Sequence, residues 1–89
     1  MKTYLIINNS GSPLSDVIKD RIKSFEEFYF LQQDIYLVKT DKSTAQEVYE
    51  AIVKTDYASL SIVVMAIDSV VSQGYWGRSR TAFWEWLKK

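Results

Sequence analysis

The longest nearly continuous apolar run in the sequence is Ser59-Leu60-Ser61-Ile62-Val63-Val64-Met65-Ala66-Ile67. Nine residues are too few to span a bilayer, and the β-branched side chains favour a strand. Apolar side chains at consecutive positions are typical of a strand that is buried on both faces. The run therefore predicts a strand in the interior of a sheet that helices cover.

The N-terminal part of the chain predicts a strand and then a helix. The strand runs from Tyr4 to Ile7, and the turn-forming residues that follow cannot continue a central strand. Ser12 is a suitable N-cap, and Pro13 suits the first helical position. Apolar residues then recur at three- and four-residue steps as far as Phe28, which predicts a helix that covers the sheet with one face.

The middle of the chain predicts a second region of strand. The segment from Phe30 to Thr40 is dense in β-formers in its second half, but Gln33 and Asp34 interrupt it with polar side chains. We expect a short strand, a bulge or kink near Gln33 and Asp34, and a longer strand that extends to Val38.

A second helix is predicted next. Thr44 with Glu47, or Ser43 with Gln46, has the spacing of a capping box. We expect the helix to end at Lys54-Thr55-Asp56, directly before the long apolar run.

The order of these elements indicates the fold class. Strand, helix, strand, helix and strand with short connections favour an α+β fold, a ferredoxin-like β-α-β(β)-α-β sandwich, because crossover connections prefer the right hand. Residues 70–74 are expected to form an edge strand or an extended arm, and a short helix ends the chain. Residues 1–89 are predicted to form a single domain.

Composition excludes several classes of function. The 89 residues contain no Cys and no His, so thiolate and imidazole zinc sites and Ser-His or Cys-His triads are excluded. Eleven basic and eleven acidic residues give a net charge of +0, which provides no global field for nucleic acid. The N-terminal apolar segment is too short for a signal peptide, so a cytoplasmic location without membrane contact is expected. No catalytic constellation and no cofactor motif is found.

Three parts of the sequence resemble a known family, the small ferredoxin-like CRISPR-associated proteins of the adaptation machinery (the second CRISPR-associated protein), and more closely their stand-alone SinR-like bacterial cousins. The opening Tyr4-Leu5-Ile6-Ile7-Asn8-Asn9 is similar to the first strand of the family. Leu31-Gln32-Gln33-Asp34-Ile35-Tyr36 resembles its second-strand segment. Gly74-Tyr75-Trp76-Gly77 and Trp86-Leu87-Lys88 resemble the ending of the cousins.

The resemblance implies a homodimer. In the nuclease members it also implies an Asp at the end of the first strand that holds a divalent metal. That position falls at Asn9, with Asn8 beside it. A neutral amide is a poor substitute for a carboxylate as a ligand of Mg²⁺ or Mn²⁺, so the resemblance implies a degenerate metal site. Asp34 is the nearest replacement acid. Asn8 and Asn9 also have a simpler interpretation as turn residues.

The C-terminal segment combines basic and aromatic side chains, a combination that suits phosphate pairing and base stacking. The alternative is that its charges are solvated and its tryptophans belong to the core or to a dimer contact. The residues with candidate contacts to a partner or to nucleic acid are Tyr75, Trp76, Arg78, Arg80, Trp84, Trp86 and Lys88.

Two classes of function remain. The first is a non-enzymatic, homodimeric interaction module of bacterial or phage origin, which binds a protein partner or regulates a nucleoprotein complex such as a CRISPR-type defence system. The second is a nuclease or toxin-like endoribonuclease that uses Mg²⁺ or Mn²⁺ with an altered acidic set around Asp34.

Overall fold

Four strands and three helices form within the described residues of the structure. The structure is a computed structural model, and it describes residues 1–55, 60–67 and 81–88. In chain order the elements are β1 (Lys2–Asn8), α1 (Asp16–Lys23), β2 (Glu27–Gln32), β3 (Ile35–Thr40), α2 (Ala45–Val53), β4 (Ile62–Ile67) and α3 (Thr81–Lys88). The strands form one antiparallel sheet, so the predicted α+β class is confirmed. The predicted arm at residues 70–74 lies outside the described residues.

The strand order in the sheet is β2-β3-β1-β4. β1 therefore lies in the interior, where Ile6 is opposite Tyr36 of β3 on one side and Val64 of β4 on the other. The long apolar run does form a strand, but it does not take the predicted interior position among the strands of the described sheet. β4 is an edge strand of the described sheet, and Val63 and Met65 on it are 44% and 48% exposed.

The physical reason is that apolar content reports the surroundings of side chains and not the number of neighbouring strands. Ile62 and Val64 face the helices α1 and α2. Ile62 is a buried member of the main core, and Val64 packs against it. Ile67 packs on the opposite face, against the cluster beneath α3. Both faces of β4 thus use apolar residues although the strand is at an edge.

The first helix begins later and ends earlier than predicted. Ser15, not Ser12, is the N-cap, and its hydroxyl accepts a hydrogen bond from the Ile18 amide at 3.4 Å. The helix ends at Lys23 with Ser24 as its C-cap. Phe28 was expected on the helical face but lies in β2, because this short helix stops before the apolar spacing does.

The predicted kink near Gln33 and Asp34 is a hairpin turn. These two residues connect β2 to β3, and the irregular register lies just before them, between Phe30 and Gln32. The polar residues end one strand and start another, as turn residues do.

The second helix agrees with its predicted limits. Thr44 is the N-cap, and its hydroxyl accepts from the Glu47 amide at 3.2 Å, so the Thr44 and Glu47 spacing is confirmed as the cap. The helix ends at Val53, and Lys54 follows with a positive φ of 52°.

Two apolar clusters lie on opposite faces of the sheet. The main core lies between the sheet and the helices α1 and α2, and its buried members are Tyr4, Ile6, Leu14, Ile18, Ile22, Phe25, Tyr36, Val38, Val48, Ile52, Val53 and Ile62. The second cluster lies beneath α3, and its buried members among the described residues are Leu37, Phe83 and Leu87. None of the helices in the described part of the chain has the length and apolar character that a bilayer span requires.

Two buried tyrosines predict a limit to stability at alkaline pH. Burial raises the pKa of Tyr4, with a further contribution from Glu47, and burial followed by the charge of Asp34 raises the pKa of Tyr36. A pKa that is higher in the folded chain stabilises the fold below the unfolded value of about 10, and this stabilisation is lost as the pH rises through the folded value. During titration with base, part of the tyrosinate absorbance should therefore appear only above about pH 10, together with unfolding. Tyr36→Phe should reduce this part. Titration of every tyrosine near pH 10 with the fold intact would contradict this prediction.

Candidate functional site

The end of β1 and the turn between β2 and β3 form one polar cluster. β1 and β3 are antiparallel, with Ile7 opposite Ile35, so Asn8 lies next to Asp34. The Asn8 amide donates to the Asp34 carbonyl at 2.9 Å. The antiparallel register thus joins two candidates that are far apart in the sequence.

The Asn8 side chain is buried and makes three hydrogen bonds. Its Nδ2 donates to the Ser12 carbonyl at 2.9 Å and to Oδ1 of Asp34 at 3.0 Å, and its Oδ1 accepts from the Ser10 amide at 3.1 Å. These partners fix the orientation of the amide, because the reverse orientation would turn Oδ1 toward a carboxylate. Asn8 therefore holds the loop after β1 in place, which agrees with the simpler interpretation as a turn residue.

Asn9 has different surroundings. It is exposed, and its backbone amide donates to the Ser61 carbonyl at 2.7 Å. Ser10 adds a second connection to the same place, since its hydroxyl accepts from the Ser61 amide at 2.8 Å. Successive residues of an extended segment point in opposite directions, so Asn8 and not Asn9 reaches Asp34.

A cleft of about 330 Å³ adjoins this cluster and is lined by Asn8, Asn9, Gly11, Ser12, Pro13, Gln33 and Asp34. Asp34 supplies the only carboxylate among these lining residues, and one of its oxygens accepts from Asn8. Gly11 has φ of +85°, a conformation that favours glycine at this position of the lining loop. The cleft offers hydrogen-bonding groups around one negative charge.

The side chains of this cleft do not fit as ligands of a divalent metal of the kind that the resemblance implies. A small divalent ion requires several oxygen ligands with compensating negative charge. Here Nδ2 of Asn8 points at the one carboxylate, and Oδ1 of Asn8 is already bonded. Across the described ranges, no three of the residues His, Cys, Asp and Glu gather as a metal site would require.

The predicted basic and aromatic segment is described only in part. Trp84 and Trp86 lie in α3 and are half-buried, and both pack against the cluster beneath that helix. The Trp86 ring lies 5.7 Å from the ring of Tyr29 on β2. Lys88 is the last residue of α3. Tyr75, Trp76, Arg78 and Arg80 lie outside the described residues.

Lys39 is a structural feature that sequence reasoning missed. It is 4% exposed, and its Nζ donates to the Trp86 carbonyl at 2.5 Å and lies 4.5 Å from the centre of the Trp86 ring. The sequence signal was weak, because a single Lys near the end of a strand is usually solvated. Only the packing of α3 on this face brings Lys39 into the interior.

Arg21 has a similar role on the other face of the sheet. Its Nη1 donates to the Ile52 carbonyl at 2.9 Å, near the C-terminal end of α2, where a positive charge is favourable. Arg21 also lines a cleft of about 440 Å³ beside the loop after β1. The contact joins residues 31 positions apart, so the sequence does not indicate it.

Comparison of the chain with family models, with curated proteins and with solved structures gives no match.

Proposed function

We propose that this chain is a non-enzymatic, homodimeric interaction module with a ferredoxin-like fold, of bacterial or phage origin. In this proposal the dimer binds or regulates a nucleoprotein complex such as a CRISPR-type defence system. The observation that carries the dimer is the outer edge of β4, with which no other strand of the described residues pairs.

The order and pairing of the elements support the ferredoxin-like part of the proposal. One helix follows β1 and another follows β3, and the antiparallel order β2-β3-β1-β4 is the arrangement that two interleaved β-α-β units produce. α1 and α2 pack on the same face of the sheet, since both contribute to the main core.

The composition of β4 supports a contact with a second copy. All six residues from Ile62 to Ile67 are uncharged, and no other strand of the described residues pairs with the outer edge. Edge strands are normally protected from pairing by charges, prolines or bulges. At the opposite edge, β2 contains Glu27 and an irregular register after Phe30, whereas the pairing of β4 with β1 is regular.

A second copy is the simplest partner for such an edge. An antiparallel pair of identical strands about a twofold axis brings the same apolar residues together, and it leaves no charge opposite a like charge. Val63 and Met65, which are about half exposed in the single chain, would gain cover in that arrangement.

The chemistry of the polar cluster argues against the nuclease alternative. Each chain contributes one carboxylate to this cleft, that of Asp34. It accepts a hydrogen bond from Asn8, and no second acid is found among the residues that line the cleft. Phosphodiester cleavage with Mg²⁺ or Mn²⁺ depends on ligands that fix the ion and balance its charge. We expect no metal-dependent cleavage of RNA or DNA by the purified chain.

The dimer is tested by sedimentation equilibrium of the chain and of two matched variants. The parent should sediment at micromolar concentration with twice its chain mass of 10.4 kDa. Val63→Lys places a charge at the proposed contact and should weaken the dimer at least about tenfold, because a lysine on an edge strand opposes pairing. Phe28→Lys is the control, since Phe28 is 43% exposed on the opposite edge and its replacement should leave the dimer unchanged.

Two results would count against the proposed dimer. The first is a parent that sediments only as a monomer throughout the concentration series. The second is dissociation by Phe28→Lys with no effect of Val63→Lys, which would move the contact to β2. Capture of the tagged chain from its source cells, with and without nuclease treatment, then tests whether its partners contain nucleic acid.

A further inference from the structure

The helix α3 covers one face of the sheet without contributing to the main core. The buried members of that core come from residues 4–62, on the face that α1 and α2 cover. Among the described residues, the buried apolar side chains between α3 and the sheet are those of Leu37 on the sheet and of Phe83 and Leu87 on α3. If α3 were removed from the sheet, the residues of the main core would therefore remain buried.

The polar contact between Lys39 and α3 gives this cover a specific attachment. The Lys39 ammonium bonds to a carbonyl near the C-terminal end of α3, where the helix dipole is negative, and it also lies over the Trp86 ring. A lysine in an apolar site needs such partners, since a buried charge without compensation is unfavourable. When α3 leaves the sheet, Lys39 regains water and both contacts are lost.

We infer that α3 is a cover that opens from the sheet as a unit while the rest of the domain stays folded, and that Lys39 controls how often it opens. Elements with few buried contacts open at lower free energy than the core does, and they form separate cooperative units. Among the described residues, the cluster beneath α3 has three buried apolar members and is of this kind, whereas the main core has twelve. Opening exposes a sheet face that carries Leu5, Tyr29 and Leu37 around the Lys39 charge. This inference does not depend on the proposed dimer.

Hydrogen exchange of the full-length chain tests the inference. Amides of α3 should exchange at least about tenfold faster than those of β1 and β3, and their exchange should depend only weakly on denaturant, as local opening does. Lys39→Met keeps an unbranched side chain but removes the charge and its hydrogen bond. This substitution should speed the exchange of α3 about tenfold and leave β1 and β3 unchanged.

Lys2→Met is the matched control. Lys2 also donates to a backbone carbonyl, that of Ser43 at 3.0 Å, but this contact is remote from α3 along the chain and lies at the start of α2. Its replacement should not change the exchange of α3. Equal exchange and equal denaturant dependence of α3 and β1 in the parent would overturn the inference, and this measurement needs no variant. Unchanged exchange of α3 in Lys39→Met, or acceleration of all elements together, would overturn the role of Lys39.

Discussion

Replacement of Ile6 by alanine should lower the free energy of unfolding by about 2–5 kcal/mol, because it leaves a cavity in a closely packed core. Ile6 is 0% exposed and lies on β1, with a strand on each side. Domains of this size are stable by about 5–15 kcal/mol, so this substitution removes a large share of the total. Urea denaturation monitored by tryptophan fluorescence measures the change.

Val64→Ala provides the comparison on the strand beside β1. Val64 is directly opposite Ile6 and packs against the same core, but it is only partly buried. We expect Val64→Ala to lower the free energy of unfolding by less than half as much as Ile6→Ala does. An equal or larger loss for Val64→Ala would indicate that β4, rather than β1, is the buried strand. The pair of variants therefore tests which of the two strands is more deeply buried.

Local signals in the sequence predicted most of the elements. The cap formed by Thr44 and Glu47 was found because both partners lie within one helical turn, so that spacing alone specifies the contact. For α1, Ser12 and Ser15 both precede apolar residues and are both acceptable caps. The choice of Ser15 agrees with the position of Ser12 in the loop, where its carbonyl accepts from Asn8.

The arrangement of the elements depended on contacts that the sequence does not specify. The run from Ile62 to Ile67 is predicted to be a strand, but its place at the edge of the described sheet follows from which strands pair with β1. Lys39 was not identified at all, since its burial depends on a helix more than 40 residues later in the chain. Local composition predicts secondary structure, whereas strand order and the burial of single charges depend on long-range packing.

The polar cluster shows the same limit. The sequence indicates Asn8 as a turn residue or as part of a degenerate metal site. It indicates Asp34 as an isolated acid. Their contact requires the register of β1 against β3, which places Ile7 opposite Ile35. A shift of one residue would turn Asn8 to the other face and bring Asn9 toward Asp34.

This contact leads to a strong expectation for Asn8→Asp. The substitution puts a second carboxylate about 3 Å from Asp34, where Nδ2 of Asn8 now donates at 3.0 Å. It also removes the hydrogen bond to the Ser12 carbonyl. A buried polar group that loses its partner costs about 1–3 kcal/mol, and like charges at this distance add to that cost. At pH 7 the free energy of unfolding should fall by about 2–4 kcal/mol.

The deficit should depend on pH in a definite direction. Two adjacent carboxylates raise the pKa of one of them in the folded chain above the unfolded value of about 3.9. A raised folded pKa means that the stability is present below the unfolded value and is lost as the pH rises through the folded value. The difference between parent and variant should therefore be smaller near pH 3.5, where the lost hydrogen bond to Ser12 remains, and should grow toward neutral pH. A deficit that is the same at both pH values would contradict this explanation.

Three further variants separate charge from packing. Asn8→Ala removes the hydrogen bonds without adding charge, so its deficit should vary much less with pH. Asn9→Asp adds a charge at an exposed position and should change stability by less than about 0.5 kcal/mol. The double variant Asn8→Asp with Asp34→Asn exchanges the acid and the amide, so at pH 7 it should recover the part of the loss that repulsion between the two carboxylates causes. If the double variant is no more stable than Asn8→Asp alone, repulsion between positions 8 and 34 is not the cause.

Mn²⁺ offers an independent measurement, because an ion that binds the folded state raises Tm. Mn²⁺ should raise the Tm of Asn8→Asp, where two carboxylates meet, more than that of the parent.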